Sequence, residues 1–190
     1  MKKTMQTAEP LKHTTMQAMN RRAAGFVQDA SSGYLQVDPP YQRPSVWTED
    51  QRRNLIRSWM LGLSVPAIIV SDRARWNGIT ADEPWTALVD GRQRVETAIR
   101  WFEGDLAVPA SWFQPDHVLE TEDTDDGPYV RFTGLTVVAR RLLDTRAMLP
   151  SIEIEVKSVE EEAEIFLLVN TGGTAQTDDD LERARQVAVS

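Results

Sequence analysis

The chain contains no cysteine. That excludes a disulfide framework, a thiolate zinc site and a cysteine nucleophile. It has only two histidines, His13 and His117, far apart in sequence, so no His/Asp cluster points to zinc. No apolar run approaches the roughly 18 residues a membrane-spanning helix needs. The stretch from Met1 to Asn20 is polar and lacks the apolar centre of a secretory signal. The expectation is a cytoplasmic protein without membrane contact. Positive charge is also short: the net charge of -8 disfavours tight non-specific binding to a phosphate backbone.

What is present is an ordinary globular composition, with 41% hydrophobic and 26% charged residues. A length of 190 residues suits one domain with a core of useful size. The charge is uneven. Residues 151–190 hold ten acidic residues against Lys157, Arg183 and Arg185, whereas residues 1–30 hold five basic residues against Glu9 and Asp29. Residues 1–33 read as a flexible or partly helical N-terminal arm, and 34–190 as the folded domain.

Residues 1–15 read as disordered. Met16, Met19, Ala23 and Val27 are spaced for one face of a helix, broken at Ser31-Ser32-Gly33. Tyr34–Val37 reads as a short strand. Thr48 and Gln51 form a capping-box pair, opening a helix to about Leu61 with Gly62 beyond it. Its buried stripe is Leu55, Ile56, Trp59 and Met60, with Arg52, Arg53 and Arg57 elsewhere on its surface. Pro66–Val70 and Trp85–Val89 read as strands. A helix then runs from the Asp90-Gly91 turn to Glu103, with Val95, Ala98, Ile99 and Phe102 as its stripe. Residues 105–129, with three prolines and six carboxylates from Asp116 to Asp126, read as irregular. Leu135–Met148 reads as a helix and Ile152–Val156 as a half-exposed strand. Ser158 and Glu161 cap a helix reaching about Val169. A turn-rich loop, Asn170-Thr171-Gly172-Gly173-Thr174, separates it from a last helix capped by Thr177.

Three polar segments stand apart from this packing pattern: Tyr41-Gln42-Arg43, Asp90-Gly91-Arg92-Gln93-Arg94, and Asn170 to Thr174. The second carries the clearest chemistry. A helix start offers free N–H groups and a positive dipole end, Gly91 allows close approach and positive φ, and two guanidinium groups match phosphate. Two readings stay open on these residues alone. One is an anion site. The other is a surface helix capped by Asp90, with its arginines paired to Glu96 or nearby acids.

The order of the segments resembles one family. Tyr41-Gln42-Arg43, Val46-Trp47, Leu55-Ile56-Arg57-Ser58, Pro66, Val89 to Arg94, Phe166 and Val169 to Thr174 follow the pattern of the DGQQR-motif domain. That domain is found at the N-terminus of GmrSD-type modification-dependent restriction enzymes and related phage-defence proteins. The resemblance implies an α+β fold of the ParB/sulfiredoxin-like kind, a small mixed sheet with packed helices. It implies nucleotide chemistry in the service of a DNA transaction such as phage defence or counter-defence. By motif position, Asp90, Gln93 and Arg94 are the expected catalytic residues. Asp90 would orient a water or hold Mg²⁺, and Gln93 and Arg94 would contact phosphate oxygens. Tyr41, Gln42, Arg43, Trp47, Gly91, Arg92, Asn170, Thr171, Gly172 and Gly173 are the expected nucleotide-binding residues. The implied partners are an NTP, as ligand or substrate, DNA, and a separate nuclease chain.

This chain departs from the family pattern in two ways. Arg92 stands where the motif has its first glutamine, which strengthens phosphate binding and weakens placement of a hydrolytic water. The HNH-type nuclease of the large enzymes is not part of these 190 residues, so a stand-alone N-terminal domain is expected. Two alternatives use the same pocket: a metal-dependent DNA-nicking nuclease, and a non-catalytic regulatory or binding protein. A PD-(D/E)xK reading of Pro115-Asp116 with Glu155-Val156-Lys157 competes poorly with an exposed strand face, because Asp116 lies in an acidic loop.

Overall fold

Alternation of apolar residues builds a central sheet with a core on each face. The computed structural model describes residues 14–42, 44–76, 78–171 and 186. In chain order the elements are β1 (Met16–Arg22), α1 (Ala23–Ser31), β2 (Leu35–Gln36), α2 (Glu49–Met60), β3 (Ile68–Asp72), β4 (Thr86–Asp90), α3 (Arg92–Glu103), β5 (Ala107–Pro109), β6 (Glu122–Thr124), β7 (Gly127–Arg131), α4 (Val137–Arg146), β8 (Met148–Glu155) and α5 (Val159–Thr171). The large sheet has the order β1-β8-β3-β4-β2. It is mixed: β8 runs antiparallel to β1 and parallel to β3, β3 is antiparallel to β4, and β4 is parallel to β2. The class is α+β, as expected.

Successive strand residues point to opposite faces, and the burial follows. Ile68, Val70, Leu88 and Leu149 join a core with Phe26, Ile56, Trp59, Val95, Trp101 and Leu143 from α1, α2, α3 and α4. Val89 and Ile154 face the other way, onto Tyr41 and onto Ala163 and Phe166 of α5. The sheet is thus sandwiched between four helices and one.

The capping box at α2 is formed: Gln51 N donates to Thr48 Oγ1 and Thr48 N donates to Gln51 Oε1. Gly62 and Gly104 follow α2 and α3 with positive φ, as their C-terminal positions require. Ser158 Oγ accepts from Glu161 N, while the Glu161 carboxylate reaches back to Lys157 N, one residue earlier than the usual box.

Four expectations are corrected. The helix expected over Met16–Val27 is a strand followed by a helix. Seven residues of β1 pair with β8, from Met16 opposite Ile154 to Arg22 opposite Met148, and this pairing overrides a helical spacing of only four apolar residues. Residues 16–31 lie in the sheet and core, with Ala23 and Phe26 fully buried. The stretch 105–129 is not irregular: β5, β7 and β6 make a small antiparallel sheet. Its prolines fall at a strand end and on a short strand opposite Asp123, where lost ladder bonds cost least. The helix expected to reach Met148 stops at Arg146, and β8 begins at Met148 and runs through Pro150. Pro150 faces only β1, because the pairing with β3 starts at Ser151. Finally, Arg52 is buried rather than on the α2 surface. The expectations for residues 1–13 and for the last helix at Thr177 lie outside the described residues.

Candidate functional site

The Asp90-Gly91-Arg92-Gln93-Arg94 segment joins the end of β4 to the start of α3. Gly91 sits at φ +98°, a conformation that L side chains rarely adopt. A Cβ there would clash with Ile68 Cγ2 and lie 2.8 Å from Ile68 Cβ. Glycine is thus required twice, by the turn and by the close passage over β3.

Asp90 does not cap α3. Among the described residues no side chain does, and its first turn carries no acidic residue. Asp90 Oδ2 instead accepts from Arg94 Nη2 at 2.9 Å, and the same nitrogen donates to Ala67 O at 3.1 Å. Arg92 Nε donates to Glu96 Oε1 at 2.6 Å. The two motif arginines are thus each held by a carboxylate four residues away, and the N-terminal N–H groups of α3 keep their positive dipole end. Arg94 Nε is buried without a hydrogen-bond partner among the described residues, and so is Glu96 Oε2.

Gln93 faces the loop before α2. Its Oε1 accepts from Ser45 Oγ at 2.7 Å and from Trp47 N at 3.2 Å. Arg52, buried beneath, donates to Ser45 Oγ and to Thr97 Oγ1, whose own hydroxyl donates to Gln93 O. Arg52 Nη2 also lies 3.8 Å from Glu96 Oε2. One polar network therefore fixes the start of α3 against the start of α2. Trp47 contributes its backbone N–H to this network and packs half-buried against the core.

Tyr41 and Gln42 are among the expected nucleotide-binding residues. Their side chains are buried and turned onto the strand that carries Asp90. Gln42 Nε2 donates to Leu88 O at 2.6 Å, and the Tyr41 hydroxyl lies 3.2 Å from the same carbonyl. The Tyr41 hydroxyl is also 3.0 Å from Glu162 Oε2. Glu162, wholly buried, takes a two-pronged bond from Arg73, Nε at 2.8 Å and Nη2 at 2.5 Å. Arg73 Nη1 continues to Gln36 Oε1 at 2.6 Å. Burial first, then the charge and hydrogen bond of Glu162, push the Tyr41 hydroxyl far above its ordinary range. Burial alone would lower Arg73, but the hydrogen bond and charge of Glu162 hold it above its ordinary value. Tyr41 and Gln42 thus both contact β4 at Leu88 O.

Asn170 lies in the last turn of α5, where its Nδ2 donates to Phe166 O at 2.8 Å, and Thr171 ends that helix. Arg43, Gly172 and Gly173 lie outside the described residues. Sequence reasoning missed Arg52, Arg73 and Glu162. Glu162 had one visible signal: it falls on the same helical face as Val159 and Phe166, three residues before and four after, a position an acid occupies only with a buried partner. Among the described residues, no three histidine, cysteine or acidic side chains converge as a metal cage. No helix among them is long and apolar enough to cross a membrane.

The β4–Gly91–α3 turn and the buried tyrosine beneath it are accompanied by a match along most of the chain. Residues 24–186 match the family described as GmrSD restriction endonuclease, N-terminal domain. The chain belongs to that family. In this GmrSD N-terminal domain, the matched span takes in α1 from its second residue and every later described element, and so both flanks of the Asp90–Arg94 segment. Comparisons with curated proteins and with solved structures return no match.

Proposed function

We propose that this GmrSD N-terminal domain binds a nucleoside triphosphate at the start of α3 and serves a restriction-type DNA transaction alongside a separate nuclease chain. The observation that carries this reading is the uncapped N-terminus of α3 beside Arg94, whose Nε–H is buried and unpartnered. A buried donor without an acceptor costs free energy unless a ligand supplies one. A phosphate oxygen suits it, with Gly91 allowing close approach and Arg92 adding charge.

The ion pairs give the reading its chemistry. Phosphate arriving at Arg94 competes with Asp90 for the guanidinium. Released, Asp90 orients a water, whose oxygen attacks the terminal phosphorus while its proton passes to a terminal phosphate oxygen, as the bond to the bridging oxygen breaks and its electrons pass to the leaving diphosphate. Gln93 keeps its Oε1 on Ser45 and Trp47 and offers its amide N–H to a phosphate oxygen. Mg²⁺ fits the donor set in the way it commonly binds nucleotides, through one carboxylate and the phosphates. Asp90 would be that carboxylate, and the ion would supply charge neutralisation. The ParB/sulfiredoxin-like assignment belongs to the same proposal, supported by the mixed sheet that ends at this turn.

A second reading is favoured by Gln93 and Arg92. With the glutamine carbonyl committed to a loop and arginine in place of the motif's first glutamine, the site suits binding without turnover. Equilibrium binding of labelled nucleotides with Mg²⁺ tests the proposal. Wild type should bind at least one NTP, and Arg94→Ala should weaken it roughly tenfold or more, as loss of a charged hydrogen bond implies. Equal, poor binding of every NTP by both proteins sinks the idea. Phosphate release then separates hydrolysis from binding, and Asp90-dependent relaxation of a supercoiled plasmid would favour nicking.

A further inference from the structure

Arginine pairing is uneven across the molecule. Among the described residues, Arg21, Arg22, Arg52, Arg53, Arg73, Arg75, Arg92, Arg94, Arg100 and Arg131 each lie within salt-bridge distance of a carboxylate. Arg57, Arg140, Arg141 and Arg146 do not, and all four sit on α2 or α4. Two of them, Arg57 and Arg146, stand at the rim of a cleft of about 530 Å³ between these helices and the 3₁₀ turns that follow β5. Trp112, Phe113 and Leu143 give it apolar and aromatic walls, His117 lines it too, and no carboxylate does. Arg57 is spread over the Trp112 ring, 6.0 Å from its centroid. In a chain of net charge -8, an acid-free cleft with unpaired guanidinium groups is set against the field of the rest of the molecule.

We infer that this cleft receives an unstacked base of a single DNA strand, with Arg57 and Arg146 on the flanking phosphates. The chemistry divides accordingly. A π-face and an apolar wall suit a base of any sequence, and cations at the rim suit the backbone on either side. A paired base in a duplex cannot enter a concavity of this kind without being extruded. The choice of a nucleic-acid strand over other polyanions rests on the reading of the chain as part of a DNA transaction. The site is distinct from the turn at Gly91. Helix α2 links the two: the loop that leads into its N-terminal end is held by Gln93, and its C-terminal end forms the cleft wall, roughly 15 Å away along the helix axis.

Fluorescence anisotropy of a short labelled single-stranded oligonucleotide, titrated with the full chain at several salt concentrations, tests the inference. Arg57→Ala/Arg146→Ala should weaken binding roughly tenfold and flatten the slope of log affinity against log salt by about 1.4, the loss expected for two phosphate contacts. Trp112→Leu, which keeps an apolar wall but removes the π-face, should also weaken binding several-fold. Thermal melts of the double-arginine variant should match wild type, and Trp112→Leu, which thins packing against the core, should melt lower but remain folded at the assay temperature. Unchanged affinity in the double-arginine variant would overturn the inference. So would equal affinity for a duplex of the same sequence, or displacement of the strand by an equimolar mononucleotide. NTP binding by wild type, measured in parallel, reports on the α3 site alone. Its absence with strand binding intact would remove the nucleotide reading and leave the cleft standing, and the reverse result would do the opposite.

Discussion

Gly91 concentrates more constraint than any other residue of the motif. Its φ of +98° and its passage over Ile68 are independent demands. Gly91→Ala should lose about 3 kcal/mol, combining backbone strain with overpacking. Urea unfolding would measure it. A loss below about 1 kcal/mol would mean that β3 yields easily at Ile68, where a register shift against β4 already occurs between Ile69 and Val70. Such a glycine is legible in a sequence because the Asp-Gly turn lies between an apolar strand and a periodic helix. The partners of the neighbouring charges are not. Asp90 could have capped α3 or paired along it, and only the fold brings Arg94 between Asp90 and Ala67 O.

At the scale of elements, α5 is fastened to the sheet by a buried ion pair. Glu162 is fully enclosed and Arg73 nearly so, hence removing either charge strands the other. Arg73→Met or Glu162→Leu alone should cost about 3–5 kcal/mol, and the double variant should recover much of that loss. Chemical denaturation of the four proteins closes the cycle, and additive losses would contradict the coupling. This fastening explains why parts of the fold were legible and others not. Helices α2 and α3 carry their own caps, stripes and terminal glycines, so local sequence suffices. Strand β1 is mostly exposed along its length, and nothing in its composition marks it as a strand; its state is decided by β8, more than a hundred residues away. The short strands β5 to β7 were hidden by proline and carboxylate content, since burial of Val108 against Val130 is a pairing fact and not a compositional one. The Tyr41-Gln42 segment was recognisable as a motif, but its burial beneath Leu88 depends on Glu162 arriving from α5.

At the scale of the whole molecule, Tyr41 ties stability to alkaline pH. Its folded-state pKa lies above the ordinary value of about 10, because burial and the Glu162 charge disfavour the phenolate. The folded state therefore holds a proton that the unfolded chain releases. The stability from this difference is fully present below pH about 10 and is lost progressively above it. Tyr41→Phe removes the titrating group. Urea midpoints measured from pH about 9 to about 11 should fall more steeply for wild type than for Tyr41→Phe. Parallel slopes would place the alkaline sensitivity elsewhere, for example at Tyr129, which Asp126 holds up by a hydrogen bond.

The position of β8 between β1 and β3 also has a consequence in time. Synthesis delivers the outer partners first and the strand between them only when Met148–Glu155 emerges. Until then β1 and β3 expose backbone donors and acceptors along the edges they will later give to β8, and a growing chain in that state is open to pairing with its neighbours on a polysome. The sheet that presents the Gly91 turn can close only after Met148–Glu155 has been made.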